Sequence, residues 1–148
     1  MASTLTPTTY KIKIIEEQIV RNNLTKNEIT HTIENVTNVD HRIVTCPNTS
    51  SINLININGS NPGAGTFPSS SIQYIRITNL DDEYSLAVTL SGSQSSFTQE
   101  LTPSNTLFFV SSNITSSNFD GSFGEDIEAI LVYAISSSID VEYVLINA

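Results

Sequence analysis

Short runs rich in Ile, Val, Leu, Thr and Tyr, punctuated by clusters of Ser, Thr, Asn and Gly, recur along almost the whole chain. The sharpest is Tyr74-Ile75-Arg76-Ile77-Thr78, followed by the turn Asn79-Leu80-Asp81-Asp82-Glu83 and then Tyr84-Ser85-Leu86-Ala87-Val88-Thr89-Leu90. Apolar and polar residues alternate with a period of two, which puts one face of a strand in a core and the other toward solvent. No credible helix is read anywhere. Isolated strand pairs cannot stand alone, so the expected architecture is all-β: an antiparallel β-sandwich of eight or nine strands. Jelly-roll and immunoglobulin-like connectivities both fit. The immunoglobulin Cys…Trp…Cys pattern is absent, since the chain has no Trp and one Cys.

The expected strands follow from the pattern. Thr9 to Val20 is the first, with Tyr10, Ile12 and Ile14 alternating against Lys11 and Lys13. Its period slips at Ile14-Ile15, which a bulge or a crossing between sheets would explain. Arg21-Asn22-Asn23 reads as a turn and Ile29 to Ile33 as the second strand. Asn35 to Asp40 is a connection or weak strand, and Arg42 to Cys46 a strand closed by Pro47. Ile52 to Ile57 is the next; its slip at Leu54-Ile55 implies burial on both sides or a bulge. Ile72 to Asn79 and Tyr84 to Ser91 are expected to pair as a hairpin across the acidic turn. Phe97 to Leu101, Thr106 to Val110, Ile127 to Ile135 and Ile139 to Ile146 complete the set. The 148 residues thus form one domain, with a short N-terminal arm (residues 1–8) and a long loop at residues 58–71.

Charge narrows the partners. The net charge is −9 and Lys and Arg are nowhere clustered. Nucleic-acid binding, which draws much of its affinity from phosphate neutralisation, is disfavoured. The charged share is 14%, well under the usual quarter. A neutral Ser/Thr/Asn coat suits a subunit of a large assembly, and equally an extracellular adhesin. No apolar run approaches the length that spans a bilayer. Met1 to Pro7 lacks the pattern of a signal peptide, so a protein made and kept in a cytosol is expected. The sequons at Asn23, Asn35, Asn48, Asn58 and Asn113 are then by-products of composition.

Chemistry is sought with little return. Cys46 has no partner for an internal disulfide and reads as a small buried residue. His31 and His41 fall at no metal spacing. Asp81, Asp82 and Glu83 read as a solvated turn, with calcium as the functional alternative; Asp120, Glu125 and Asp126 offer a second such loop. Gly63 and Gly65 lie in Asn-Gly-Ser-Asn-Pro-Gly-Ala-Gly-Thr-Phe-Pro, but the Lys-Ser/Thr of a phosphate loop is missing. Phe67 is the anchor of that loop. No catalytic residue, cofactor or metal site is expected. Interaction loops are expected at Gly63, Gly65 and Phe67 and at Asp81 and Asp82, since loops carry contacts to partners.

Arg42-Ile-Val-Thr, Gly63-Ala-Gly-Thr-Phe67 and Tyr74-Ile-Arg-Ile-Thr-Asn-Leu-Asp-Asp82, followed by a further strand and Phe97…Leu101-Thr-Pro-Ser, resemble small virion structural proteins of tailed bacteriophages, notably marine podovirus-like phages. The resemblance covers most of the chain. It implies a component of capsid or tail, most readily a capsid decoration protein in many copies, with tail or fibre roles as alternatives. It implies self-association, contacts with other virion proteins, assembly in the host cytoplasm, and no enzymatic activity. A carbohydrate- or receptor-binding module is the competing class.

Overall fold

The computed structural model describes residues 8–57, 65–67, 72–111, 114 and 126–148. Eleven strands occur among them and none of these residues is helical. They are β1 (Thr8–Val20), β2 (Asn23–Val36), β3 (Asn38–Cys46), β4 (Ile52–Ile57), β5 (Thr66–Phe67), β6 (Ile72–Asn79), β7 (Leu86–Ser91), β8 (Ser96–Leu101), β9 (Thr106–Val110), β10 (Ala129–Ala134) and β11 (Ile139–Asn147). Strands β1 and β2 pair only with each other, as a ribbon. The rest form a four-stranded sheet, β3-β11-β6-β9, and a five-stranded sheet, β5-β4-β10-β7-β8.

The pairing has an order. Setting β5 aside, the first strand of the sandwich pairs with the last (β3 with β11) and the second with the seventh (β4 with β10). The third pairs with the sixth (β6 with β9) and the fourth with the fifth (β7 with β8), all antiparallel. That is one long hairpin folded back on itself. Two further ladders, β11 with β6 and β10 with β7, roll it into two sheets. The result is jelly-roll connectivity, which decides between the two topologies compatible with the sequence.

Period-two alternation supplies the core. Ile75 and Ile77 of β6 and Val141, Tyr143 and Leu145 of β11 point inward from one sheet. Ile55, Leu86, Val88, Ile130 and Val132 meet them from the other. Register is held because a one-residue slip would turn each of these sets into solvent. The slip at Leu54-Ile55 is a bulge: Ile130 opposes Ile55 while Leu131 opposes Asn53, leaving Leu54 over.

Several expectations are corrected. β6 and β7 are not a hairpin, because they belong to opposite sheets. Both edges of β6 are already taken, by β11 and β9, so the acidic turn is a corner that carries the chain across the sandwich. Asn79 stitches that corner. Its fully buried amide donates to the carbonyls of Tyr84 (2.9 Å) and Leu101 (3.1 Å), and its Oδ1 accepts from the Asp81 amide (3.0 Å). The last two strands, β10 and β11, also belong to different sheets. Ile14-Ile15 is neither bulge nor crossing: the register runs unbroken from Tyr10 to Val20. β2 begins at Asn23, ahead of the expected Ile29, because a polar strand in a solvated ribbon needs no apolar period. Of the expected N-terminal arm, Thr8 opens β1 and the remainder lies outside the described residues.

Two substitutions test this account by urea unfolding. Leu145→Ala, which empties a fully buried site, is expected to cost about 2–5 kcal/mol. Asn79→Leu roughly keeps the volume but removes the donor to the Tyr84 and Leu101 carbonyls, the second of these bonds buried, and is expected to cost about 2 kcal/mol or more.

Candidate functional site

The feature that stands apart from the sandwich is the ribbon. Arg21 (φ 49°) and Asn22 (φ 64°) both occupy the left-handed region, as a two-residue type I′ turn requires. Twelve residues of β1 pair with β2, and each strand is longer than any in the sandwich. Near its base the register shifts between Thr8 and Tyr10, and Asn35 takes φ 56°. Asn tolerates this conformation, and the bulge bends the ribbon over the outer face of the four-stranded sheet.

The two faces of the ribbon differ. Tyr10, Ile12, Ile14 and Ile33 share one face and pack on Tyr74, Val144, Ile146 and Val110 of the sheet beneath. The Tyr10 and Tyr74 rings lie 6.2 Å apart, tilted by 34°, a favourable aromatic spacing. Thr37 ties the base down by donating its amide to the Asn147 carbonyl at 2.9 Å. Toward the tip this support ends. Ile15, Ile19 and Leu24 share the opposite face, with Ile19 73% and Leu24 59% exposed. The Glu17–Lys26 pair lies between them in the register. Lys13 bridges to Glu28 at 2.8 Å, while Lys11, Arg21 and Lys26 make no ion pair among the described residues.

The ribbon covers only part of the sheet it lies on. Beyond it, three strands contribute one ion cluster: Glu142 of β11 bonds Arg76 of β6 and His41 of β3, the latter at 3.2 Å. Ile43 (61% exposed), Phe108 and Leu80 flank the cluster and are open to solvent. On the inner side of β3 a second polar group is built at the sandwich rim. The Tyr143 hydroxyl donates to Asp40 Oδ2 at 2.7 Å and Arg42 Nε donates to Asp40 Oδ1 at 3.1 Å. Burial, then the hydrogen bond to Asp40 and its negative charge, pushes the Tyr143 hydroxyl well above the usual tyrosine range. Burial raises Tyr74 as well, and the Cys46 thiol with it.

The expected interaction loops are distributed as follows. Gly63 lies outside the described residues. Gly65 adopts φ 76°, and its carbonyl accepts the Asn56 amide at 2.7 Å. Phe67 sits in the core, 4% exposed, so it anchors the loop from inside. Asp81 is occupied by its own turn: Oδ1 accepts the amides of Glu83 (2.8 Å) and Tyr84 (2.7 Å), and its carbonyl accepts the Ser104 amide (2.9 Å). Asp82 is exposed. What the fold brings together is the ribbon and the outer face of the four-stranded sheet. Asp120 and Glu125 lie outside the described residues, and among those described no group of three or more His, Cys, Asp or Glu is placed to hold a metal ion. A separate shallow hollow of about 390 Å³ lies at the β7–β8 end beside Phe97, lined also by Leu90, Ile127 and Asp126.

No family model, curated protein or solved structure matches the chain.

The ribbon was missed in sequence because its second strand has a single apolar residue, Leu24, between Asn23 and Glu28 and so shows no alternation. The available signal was Ile14-Ile15 itself: adjacent isoleucines in a continuous strand put apolar groups on both faces.

Tyr143 gives a pH test. In the unfolded chain it titrates near pH 10, and in the fold it holds its proton higher. Stability is therefore unaffected below about pH 10 and falls as pH rises above it, by up to about 1.4 kcal/mol per pH unit for this group. Tyr143→Phe, followed by urea midpoints from pH 8 to 11.5, is expected to flatten that decline. At the tip, Asn22→Gly is expected to keep or slow amide exchange in the ribbon, while Asn22→Val, which resists positive φ, is expected to speed it.

Proposed function

We propose that this is a virion structural protein of a tailed bacteriophage that acts by assembly rather than by catalysis, and most readily as a capsid decoration subunit present in many copies. The observation that carries the reading is the ribbon. A two-stranded hairpin is at best marginally stable in water, and this one extends past its support with apolar side chains on both faces. Such a projection makes sense in a molecule that is completed by neighbours. The resemblance of the Arg42, Gly63–Phe67 and Tyr74–Asp82 segments to small phage virion proteins favours the same reading. So does the jelly roll, an architecture used by viral capsid proteins, although it is shared with lectin domains and fold alone does not determine function. A surface with few charges is tolerable where many copies are packed together, and repetition turns weak contacts into strong ones.

The test is direct. Purified particles of the virus that encodes the chain are expected to contain it at a stoichiometry matching a capsid or tail symmetry, and a particle map is expected to locate it. Its absence from particles by mass spectrometry would refute the proposal. A position in tail or fibre would retain assembly and exclude decoration.

A second reading, a carbohydrate- or receptor-binding module, is favoured by the hollow beside Phe97, which is 61% exposed on β8. An exposed aromatic next to a concavity is a platform of the kind ligand sites use. On that reading Phe97→Ala abolishes binding in a glycan screen without lowering stability. On the assembly reading the screen is silent.

A further inference from the structure

We infer that β8, the edge of the five-stranded sheet, pairs antiparallel with β8 of a second copy of this chain about a two-fold axis at Thr98, joining the two sheets into one. The inference rests on the assembly reading and names its partner and surface. It begins from the backbone. Gly92 donates its amide to the Ser95 carbonyl at 2.9 Å, and from there the register runs unbroken, from Ser91 opposite Ser96 to Leu86 opposite Leu101. Hydrogen-bonded and non-bonded pairs alternate in an antiparallel ladder. Phe97, Gln99 and Leu101 therefore direct their amides and carbonyls to β7, while Ser96, Thr98 and Glu100 direct theirs away from it. No described residue outside β8 bonds the main chain of these three. Gln99 Nε2 donates to the Glu100 carbonyl at 3.1 Å, where a partner's amide would sit. An open row of this kind is a template for another strand.

Among the described strands β8 is the least guarded edge. It has one charged residue, Glu100, and no Lys, Pro or bulge. By contrast β3 carries Asp40, His41 and Arg42, the ribbon carries Lys and Glu along both strands, β4 has the Leu54 bulge, and β5 has two residues. Strand β9 ends the other sheet, but its last residue, Val110, packs into the small core under the ribbon. The start of β8 also stands clear of the opposing sheet: Phe97 and Gln99 share a face with the buried Leu101, yet both are exposed.

A second copy fits this edge because the open groups are symmetric about Thr98. With Thr98 opposite its own counterpart, Ser96 falls opposite Glu100 of the copy, and about six main-chain hydrogen bonds form. The one acid of the strand then meets a serine and not another acid. Phe97 lies opposite Gln99 of the copy and diagonal to its Phe97 at about 7–8 Å, within aromatic reach. On the other face, the Thr89–Thr98 hydroxyl contact at 2.8 Å continues across the axis into a row of threonines, a favourable cross-strand pairing. Each copy gives and receives the same contacts, so the pair is isologous and closed.

The experiment is sedimentation velocity on the full chain over a concentration series. The native chain is expected to form dimers, more tightly at high salt, which screens the −9 carried by each copy. Thr98→Lys opposes two like charges at the axis and is expected to weaken dimerisation by at least about ten-fold. Thr98→Glu is expected to do the same, and an equal mixture of the two is expected to restore it. Thr98→Pro removes an outward amide, which an edge strand tolerates, and is expected to abolish the dimer. Thr98 is exposed, so at monomer concentrations all three variants are expected to keep the native circular dichroism and urea midpoint. Amide exchange locates the contact: Ser96, Thr98 and Glu100 are expected to gain protection as concentration rises, while Phe97 and Gln99 are protected throughout. A native chain that stays monomeric, dimers indifferent to Thr98→Lys and Thr98→Pro, or no concentration-dependent protection at Thr98 would each overturn the inference. A monomeric chain that is nonetheless found in purified particles would overturn it and leave the virion role standing. A dimer paired through β8, formed by a chain absent from particles, would do the reverse.

Discussion

The described residues are organised around the second half of β11, Tyr143 to Asn147, being covered on both faces and both edges. It is paired along nine residues with β3 and along most of its length with β6. Its inner face, Val141, Tyr143 and Leu145, fills the sandwich core, and its outer face, Val144 and Ile146, is sealed by the ribbon. From Tyr143 to Asn147 five successive residues are buried. A strand in that position can be nearly continuous in apolar residues, whereas a half-solvated strand must alternate. The nested jelly-roll pairing places the last strand beside both the first and the third strands of the sandwich, and so closes the four-stranded sheet around it.

That arrangement divides the ribbon into two parts with different physics. The base is structural: it completes the burial of Val144 and Ile146, and Tyr10 and Ile12 belong to the same small core. The distal part buries little against its own body, holds its shape through a type I′ turn and cross-strand pairs, and presents Ile15, Ile19 and Leu24 among charges of both signs, Glu16, Glu17 and Glu28 with Arg21 and Lys26. Isolated surface ion pairs such as Lys13–Glu28 contribute little, so they do not account for the projection.

Much of the architecture was legible in the residues. Ile52–Ile57, Ile72–Asn79 and Thr106–Val110 stand at the boundaries read from alternation, and the closing strands begin within two residues of expectation or end within one. Phe67 was legible as an anchor because a lone large aromatic in a glycine- and proline-rich loop has little other use. Pairing was less legible. Tyr74–Asn79 and the strand after it look like a hairpin because the turn between them is short and polar, yet the same turn is a corner between sheets. The difference lies in Asn79, on β6, whose buried amide nitrogen donates to the Tyr84 and Leu101 carbonyls beyond the crossing while its Oδ1 accepts the Asp81 amide within it. Nothing in local sequence separates a turn that returns along the same sheet from one that leaves it. The expected interaction loops rested on composition, which indicates where chain is irregular but not which surface is left open once the sheets are packed.

Alternation by itself determined that the chain is all β and which side chains of a strand share a face, because a period of two is a property of one strand taken alone. The tertiary structure decided which strands become neighbours, that the first two leave the sandwich as a ribbon, and that the outer sheet face around Ile43 and Phe108 remains open. These depend on contacts between residues far apart in sequence, such as Thr37 with Asn147 and Tyr10 with Tyr74. No local pattern encodes such contacts, because their free energy exists only when both partners are in place.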